Sequence, residues 1–261
     1  MAFKEVDLAT EKPELRSVLI LGVEKSGKTT FCGTAPKPVL HYCFDGEGYK
    51  RMSGIAGIKS VIVDGPNAVS EFERDINSLL ITPKKYKWPD GREEVYKTIC
   101  FDPYSFFSDA VYEEEERKTS DGFKVYGNIM KNHKNFLGQV KKLSKAYNVV
   151  VTCHVEIKQD DTTGNKMMLA DINGKTRNSI GAHFDGVVFT KVIPRGAKAE
   201  YKICPVPSSV CKAGIRIPMG CEDMFGDVEV NDFSALKEKF DKGLLKMMSQ
   251  QPTPAGTVPV V

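Results

Sequence analysis

The sequence predicts an α/β fold in which helices flank a mostly parallel central sheet. Strand signals and helix signals alternate along the chain, which is the pattern of a parallel sheet. The chain has 261 residues, of which 41% are hydrophobic and 27% charged, and this is enough for one large core. A glycine-containing loop separates the first apolar run from the first helical segment. We therefore expect a single domain over residues 1–249, with a disordered, proline-rich tail at 250–261.

Short apolar runs predict the strands in chain order. They lie at residues 18–21, 38–45, 60–64, 96–102 and 148–154. Apolar residues at helical spacing predict helices over residues 67–80, 128–147 and 233–248. Two further runs, 186–192 and 199–204, are separated by a short polar gap and predict an antiparallel C-terminal hairpin.

Three polar stretches are less regular. Residues 82–95 are interpreted as a loop or an exposed hairpin around Trp88, and residues 158–178 as a long loop or a pair of edge strands. Residues 106–117 have helical character. The run of four glutamates at 113–116 and the polar residues after it, however, predict an exposed, mobile stretch.

Composition narrows the function classes. A formal net charge of +3 is too small to indicate a nucleic-acid partner by itself. No apolar stretch approaches the roughly 20 residues that span a bilayer, and the first residues do not resemble a secretory signal. Cys43, Cys100 and Cys153 fall in apolar runs, where free thiols behave as small buried hydrophobes. We expect a cytoplasmic protein without membrane contact.

The most informative motif is G-x-x-x-x-G-K-[ST] at residues 22–29, placed between an apolar strand and a short helix. Backbone N–H groups of such a loop surround phosphates, and the helix start adds its positive dipole end. Lys28 supplies a charge to the β- and γ-phosphates, and the Thr29 hydroxyl can bind Mg²⁺. The flanking strand and helix argue against a chance match. The predicted nucleotide-binding residues are Gly22, Val23, Glu24, Lys25, Ser26, Gly27, Lys28, Thr29 and Thr30.

Polar residues at the ends of later strands complete the predicted site. Asp102 ends an apolar strand, and we interpret it as the carboxylate that completes the Mg²⁺ shell beside Thr29. The alternative is that Asp102 only caps the turn that follows. Glu47 follows the second strand and is our candidate for polarising water, with Asp45 as the alternative and a plain turn as a third reading. His154 ends another strand, where it would sense the γ-phosphate unless its role is structural.

These segments carry a family resemblance. Residues 22–30, 44–47 and 99–102 resemble the P-loop, the catalytic-glutamate segment and the Walker B strand of RecA-like recombinases. His154 stands where those proteins place a polar γ-phosphate sensor. The short helix ending at residues 35–38, the tripeptide at 183–185 and residues 211–216 resemble the compact RecA-core ATPases of bacteriophages, including the Sak type of annealing and recombination proteins. The resemblance covers roughly residues 17–217.

The resemblance implies a RecA-like P-loop core that binds ATP with Mg²⁺ and assembles into a ring or filament. It also implies contact with single-stranded DNA, often beside a phage single-strand-binding protein. Lys212 or Arg216 would reach the γ-phosphate of a neighbouring subunit, unless both are solvated strand-end charges. The candidate DNA-binding residues are Lys158, Lys166, Lys175 and Arg177. Their segment has no aromatic residue for base stacking.

The leading functional hypothesis is therefore a phage ATPase that acts on single-stranded DNA in recombination or annealing, in the cytoplasm of an infected host. One alternative is a P-loop ATPase that acts on a protein assembly without DNA contact. Another is a nucleotide-binding module with negligible hydrolysis. A small-molecule kinase is disfavoured because no arginine-rich lid follows the sensor strand.

Overall fold

A computed structural model describes residues 12–250, apart from residues 66, 160–163, 165, 197 and 220. Residues 1–11 of the predicted domain and residues 251–261 of the predicted tail lie outside this part of the chain. The last helix extends through residue 250, where we had placed the start of the tail. None of the helices described is long and apolar enough to cross a bilayer.

The secondary structure follows the predicted alternation of strands and helices. The strands described are β1 Ser17–Leu21, β2 Val39–Cys43, β3 Ile58–Ile62, β4 Lys85–Lys87, β5 Glu93–Val95, β6 Thr98–Asp102, β7 Asn148–Cys153, β8 Val155–Gln159, β9 Lys166–Ala170, β10 Gly186–Arg195, β11 Lys198–Cys204, β12 Gly214–Ile215 and β13 Glu229–Val230. The α-helices described are α1 Lys28–Gly33, α2 Ala68–Ile81, α3 Tyr104–Lys118, α4 Gly122–Leu143 and α5 Phe233–Gln250.

The central sheet has the order β13-β11-β10-β1-β7-β6-β2-β3. The pairs from β10 across to β3 are parallel, whereas β11, β12 and β13 add antiparallel pairs at the other end. This confirms the predicted fold class, including its antiparallel C-terminal extension. Strand β7 lies between β1 and β6, so the carboxyl ends of β1, β7, β6 and β2 meet at one edge of the sheet, where α/β folds bind ligands.

Alternate residues of the central strands enter two separate cores. Leu19 and Leu21 of β1 belong to the larger core, which lies under α2, α3 and α4. Val18 and Ile20 face the other side, where the core is completed by α1 and α5. Strands that are covered on both faces read as continuous apolar runs, which is why they were recognisable in the sequence.

Residues 113–118 are helical, whereas we expected an exposed, mobile stretch from residue 113; the exposure itself is found at residues 113, 116–118 and 120–124. Helix α3 continues to Lys118, whose ammonium lies 2.6 Å from Glu114 and 2.8 Å from Glu115. Pairs at this spacing stabilise a helix, so the charged run stays helical. Helix α4 then begins at residue 122, six residues before the predicted start, because the Asp121 carboxylate caps its first N–H groups.

Both ambiguous polar stretches contain a hairpin. Strands β4 and β5 pair around Trp88, as one of our two readings expected. Strands β8 and β9 form a separate two-stranded sheet, and two 3₁₀ helices, Lys175–Asn178 and Ile180–His183, follow it. The hairpin therefore projects from the carboxyl end of β7 without joining the central sheet.

Between α3 and α4 lies a buried histidine that is expected to make folding sensitive to acid. His133 is fully buried, and its Nδ1 forms a hydrogen bond of 2.7 Å with the Tyr104 hydroxyl. Burial lowers the pKa of His133 from 6.5 to about 4. Between these pH values, His133 is protonated in the unfolded chain but not in the folded chain. The stability that depends on neutral His133 is therefore fully present above pH 6.5 and is lost as the pH falls toward 4.

Because of His133, we expect the free energy of unfolding to fall by about 2 kcal/mol when the pH is lowered from 7 to 5. Urea unfolding at both pH values, in the unmodified chain and in His133→Gln, measures this contribution. The variant is expected to lose less stability on acidification. An equal loss in both proteins would contradict the assignment.

Candidate nucleotide-binding site

Two glycines shape the loop between β1 and α1. A Cβ at Gly22 would lie 1.7 Å from Thr190 Oγ1, so no larger residue fits against β10. Gly27 has a φ of +98°, and a Cβ there would lie 2.7 Å from Asn231 Nδ2. The first glycine therefore allows close packing, and the second allows the left-handed turn into the helix.

The loop opens onto a cavity of about 510 Å³, a size that suits a small-molecule ligand. The cavity is lined by nine of the residues predicted for the site: Glu24, Lys25, Gly27, Lys28, Thr29, Thr30, Glu47, Asp102 and His154. It is also lined by residues outside that set: Asp45, Gly48, Arg51, Pro103, Phe106 and Tyr201. The structure thus brings together the loop and the ends of β2, β6 and β7.

Lys28 is held inside the loop. Its side chain is buried, and its Nζ donates hydrogen bonds to the carbonyl oxygens of Gly22 at 2.9 Å and Val23 at 2.7 Å. Burial lowers the pKa of Lys28, and the nearby Asp102 charge opposes that shift. The ammonium therefore occupies the centre of the predicted phosphate cradle.

Asp102 is buried at the end of β6, and both of its carboxylate oxygens have partners. One oxygen accepts a hydrogen bond from the Thr152 hydroxyl, and the other lies 3.3 Å from His41 Nε2. Burial opposes ionisation, yet His41, Thr152 and Thr29 together hold the pKa of Asp102 below its usual value. The acid is therefore ionised at neutral pH. A carboxylate and a threonine hydroxyl on one cavity are oxygen donors that fit Mg²⁺.

The two candidate bases in the turn after β2, Asp45 and Glu47, have different hydrogen-bond partners. Asp45 Oδ1 accepts hydrogen bonds from the backbone N–H groups of Glu47 at 3.1 Å and Gly48 at 2.7 Å. Asp45 therefore organises the turn. The Glu47 side chain is 75% exposed, and its carboxylate lies 2.6 Å from Lys50 Nζ. Both acids line the cavity, but Glu47 is the one that is not used to build the backbone.

His154 lies next to the loop lysine. Its Nδ1 is 3.5 Å from Lys28 Nζ, and its ring packs edge-on against Phe106. Burial and then the charge of Lys28 lower the pKa of His154. The imidazole is therefore neutral at neutral pH, and it can offer one donor and one acceptor to a ligand beside Lys28.

The structure does not bring Lys212 and Arg216 to this cavity. Both line a separate groove of about 410 Å³, which is lined by β9, the segment that follows it, β12 and residues of β1 and β10. Arg216 donates a hydrogen bond to the Ala182 carbonyl oxygen. Neither residue lines the loop cavity of its own chain.

The four candidate DNA-binding residues are divided between two places. Lys158 and Lys166 are exposed on the β8–β9 hairpin, and Lys175 is exposed in the 3₁₀ helix that follows. Arg177 instead lines the groove, where it donates to Glu156 at 2.7 Å. Glu156 also lies 3.6 Å from Lys158, so part of the basic charge is already paired.

Sequence reasoning missed several residues of the site. His41 and Thr152 lie inside strands that read as apolar, and only the pairing of β2, β6 and β7 places them beside Asp102. Tyr201 arrives from β11, far along the chain. A polar residue inside an otherwise apolar strand is the one sequence signal that could have found His41.

The parallel sheet, the glycine-shaped loop and the buried lysine and aspartate define a P-loop nucleotide-binding domain. A family model described as AAA domain matches residues 14–217. The chain belongs to this AAA domain family of P-loop ATPases.

The chain is similar to solved structures of other proteins. One is a KaiC-like protein from Pyrococcus horikoshii OT3, with 12% sequence identity, a TM-score of 0.39 and coverage of 74% of this chain and 78% of that chain. Another is the flagellar accessory protein FlaH from Methanocaldococcus jannaschii, with 10% identity, a TM-score of 0.38 and the same coverage of 74% and 78%. No curated protein matches the chain.

Proposed function

We propose that this protein binds ATP with Mg²⁺ at the loop of residues 22–30 and hydrolyses it. The observation that carries the proposal is the meeting of Lys28, Thr29 and Asp102 in one cavity at the carboxyl edge of the sheet. A buried ammonium at the start of a helix that follows a glycine-shaped loop suits a phosphate chain. Thr29 and Asp102 would hold the Mg²⁺, which when bound neutralises charge on the phosphates.

In this proposal the remaining residues act around the γ-phosphate. Lys28 exchanges its hydrogen bonds with the loop carbonyls for hydrogen bonds with phosphate oxygens. His154, held beside Lys28, senses the γ-phosphate through its neutral ring. Glu47 orients the attacking water and accepts its proton, while Asp45 keeps the turn in place. The hydroxide formed then attacks the γ-phosphorus as the β–γ bridging bond breaks, giving ADP and phosphate.

We also propose that the active form is an assembly. Lys212 and Arg216 lie in a groove of their own, so a contribution to a γ-phosphate requires a second subunit. This agrees with the ring or filament that the resemblance to RecA-like proteins implies. Either side chain would then supply a positive charge in trans.

The proposed substrate of the assembly is single-stranded DNA, in phage recombination or annealing within the host cytoplasm, with a phage single-strand-binding protein as a second partner. The exposed lysines 158, 166 and 175 support a phosphate-binding surface on and after the β8–β9 hairpin. The pairing of Glu156 with Arg177 and Lys158 favours the alternative, an ATPase that acts on a protein assembly without DNA.

ATPase measurements with and without single-stranded DNA test the proposal. Stimulation by DNA supports action on DNA. Turnover that is indifferent to DNA supports the protein-assembly alternative. Tight nucleotide binding without turnover would leave a binding module and would contradict hydrolysis.

If DNA is bound, replacing Lys158, Lys166 and Lys175 together by alanine is expected to flatten its salt dependence. Loss of three phosphate contacts lowers the slope of log K against log salt by about 2 for a single strand. Fluorescence anisotropy over a salt series measures the slope. A matched control replaces three exposed lysines of α4, namely Lys134, Lys141 and Lys142. An equal slope in all three proteins would mean that the hairpin lysines contact no phosphate.

A further inference from the structure

The loop cavity contains a second strong cation that neither the motif nor the proposed chemistry uses. Arg51 is exposed in the 3₁₀ helix Gly48–Met52 and lines the same cavity as Lys28. Its Nε donates to Thr30 Oγ1 at 3.4 Å. Within the part of the chain that the structure describes, its guanidinium has no carboxylate partner. Its neighbour Lys50, by contrast, is paired with Glu47.

The position of Arg51 is set from both ends of its short helix. At the start, Asp45 holds the backbone N–H groups of Glu47 and Gly48. At the end, the buried Met52 side chain packs against Gly33 of α1 and enters the core under that helix. The 3₁₀ helix is therefore fixed against α1, and Arg51 extends from it toward the loop.

The residues of α1 define which side of the loop Arg51 serves. Thr29 lies close enough to Asp102 to help lower the pKa of its carboxyl, and Lys28 lies beside His154, so both face the side where Mg²⁺ and the γ-phosphate are proposed to bind. Thr30 is the next residue, about 100° further around the helix. Its hydroxyl faces Arg51 instead.

We infer that Arg51 binds the α- and β-phosphates, which ATP and ADP share. This inference rests on the proposed function of the cavity. A guanidinium presents five donors in a planar fork that matches phosphate oxygens, and one of the five is already directed at Thr30. Arg51 is then a nucleotide-binding residue that retains the product as firmly as the substrate.

Titration calorimetry with Mg²⁺ and either ADP or a non-hydrolysable ATP analogue tests the inference. Arg51→Ala is expected to weaken both nucleotides by a similar factor, roughly tenfold, as expected for a lost charge-assisted hydrogen bond. Arg51→Lys keeps the positive charge but loses the planar fork of donors. Its nucleotide affinity is expected to lie between those of the unmodified chain and Arg51→Ala. Arg74→Ala is the control, because Arg74 is an exposed arginine of α2 that does not line the cavity. This variant is expected to bind both nucleotides as the unmodified chain does.

Two results would overturn the inference. The first is an affinity of Arg51→Ala within about twofold of the unmodified chain for both nucleotides, which is below the effect of one charge-assisted hydrogen bond. The second is a loss confined to the ATP analogue, which would move Arg51 to the γ-phosphate. If the unmodified chain binds neither nucleotide, the proposed function itself fails, so the two failures are distinguishable.

Discussion

Lys28→Ala is expected to abolish ATP hydrolysis and to weaken nucleotide binding at least a hundredfold. Lys28 is 5% exposed, and its ammonium lies 2.9 and 2.7 Å from two loop carbonyl oxygens. Two other cations line the cavity, but Lys25 is exposed and Arg51 lies on the Thr30 side, whereas Lys28 is buried in the loop. A buried charge-assisted contact to phosphate strengthens as water is excluded, and several such bonds are lost together.

Phosphate release and nucleotide titration measure this effect. Lys59→Ala is a suitable control because Lys59 is an exposed lysine on β3, far along the sheet from β1. Circular dichroism of Lys28→Ala establishes that the loop change leaves the fold intact. A variant that keeps the full ATPase rate would remove the loop from the mechanism.

The site could be predicted from the sequence wherever its information is local. The loop, its lysine and its threonine are contiguous, and the strand that precedes them is covered on both faces and reads as an apolar run. Asp45, Glu47, Asp102 and His154 could be added because the ends of parallel strands converge at one edge. Each prediction needed only a strand and the residues at or just after its end.

What could not be predicted depends on strand register and on packing between distant elements. The pairing of β2 with β6 and of β6 with β7 brings His41 and Thr152 to Asp102. No sequence pattern specifies which of several strands are neighbours. Arg51 depends on a 3₁₀ helix that packs on α1 through Met52, a contact between segments with no shared periodicity.

The positions of several basic residues could not be predicted for the same reason, since they too depend on packing between distant elements. Lys212, Arg216 and Arg177 were expected from their resemblance to act at a γ-phosphate or on DNA. The structure places all three around a separate groove, and it pairs Arg177 with Glu156. A charged residue at the end of a strand is expected to be exposed. Which site or counter-charge it faces depends on how the following segments of the chain fold.

The turn after β2 shows how the structure separates two acids that the sequence left open. Both line the cavity, but Asp45 is engaged by backbone N–H groups through one oxygen. Such a carboxylate is a turn-building group, since aspartate readily bonds the backbone two or three residues on. Among the described residues, the Glu47 carboxylate pairs with Lys50 alone, in a surface ion pair that costs little to break.

Glu47→Gln is therefore expected to lower turnover about a hundredfold while nucleotide affinity stays within about twofold, because glutamine keeps the shape but cannot accept the proton from water. Asp45→Asn is the matched comparison. Asparagine retains an oxygen that can accept the N–H groups of residues 47 and 48, so this variant is expected to keep turnover within about threefold. Single-turnover phosphate release, measured beside nucleotide titration, separates chemistry from binding. The reverse result, with Asp45→Asn inactive and Glu47→Gln active, would assign the proton to Asp45 and leave Glu47 as the partner of Lys50.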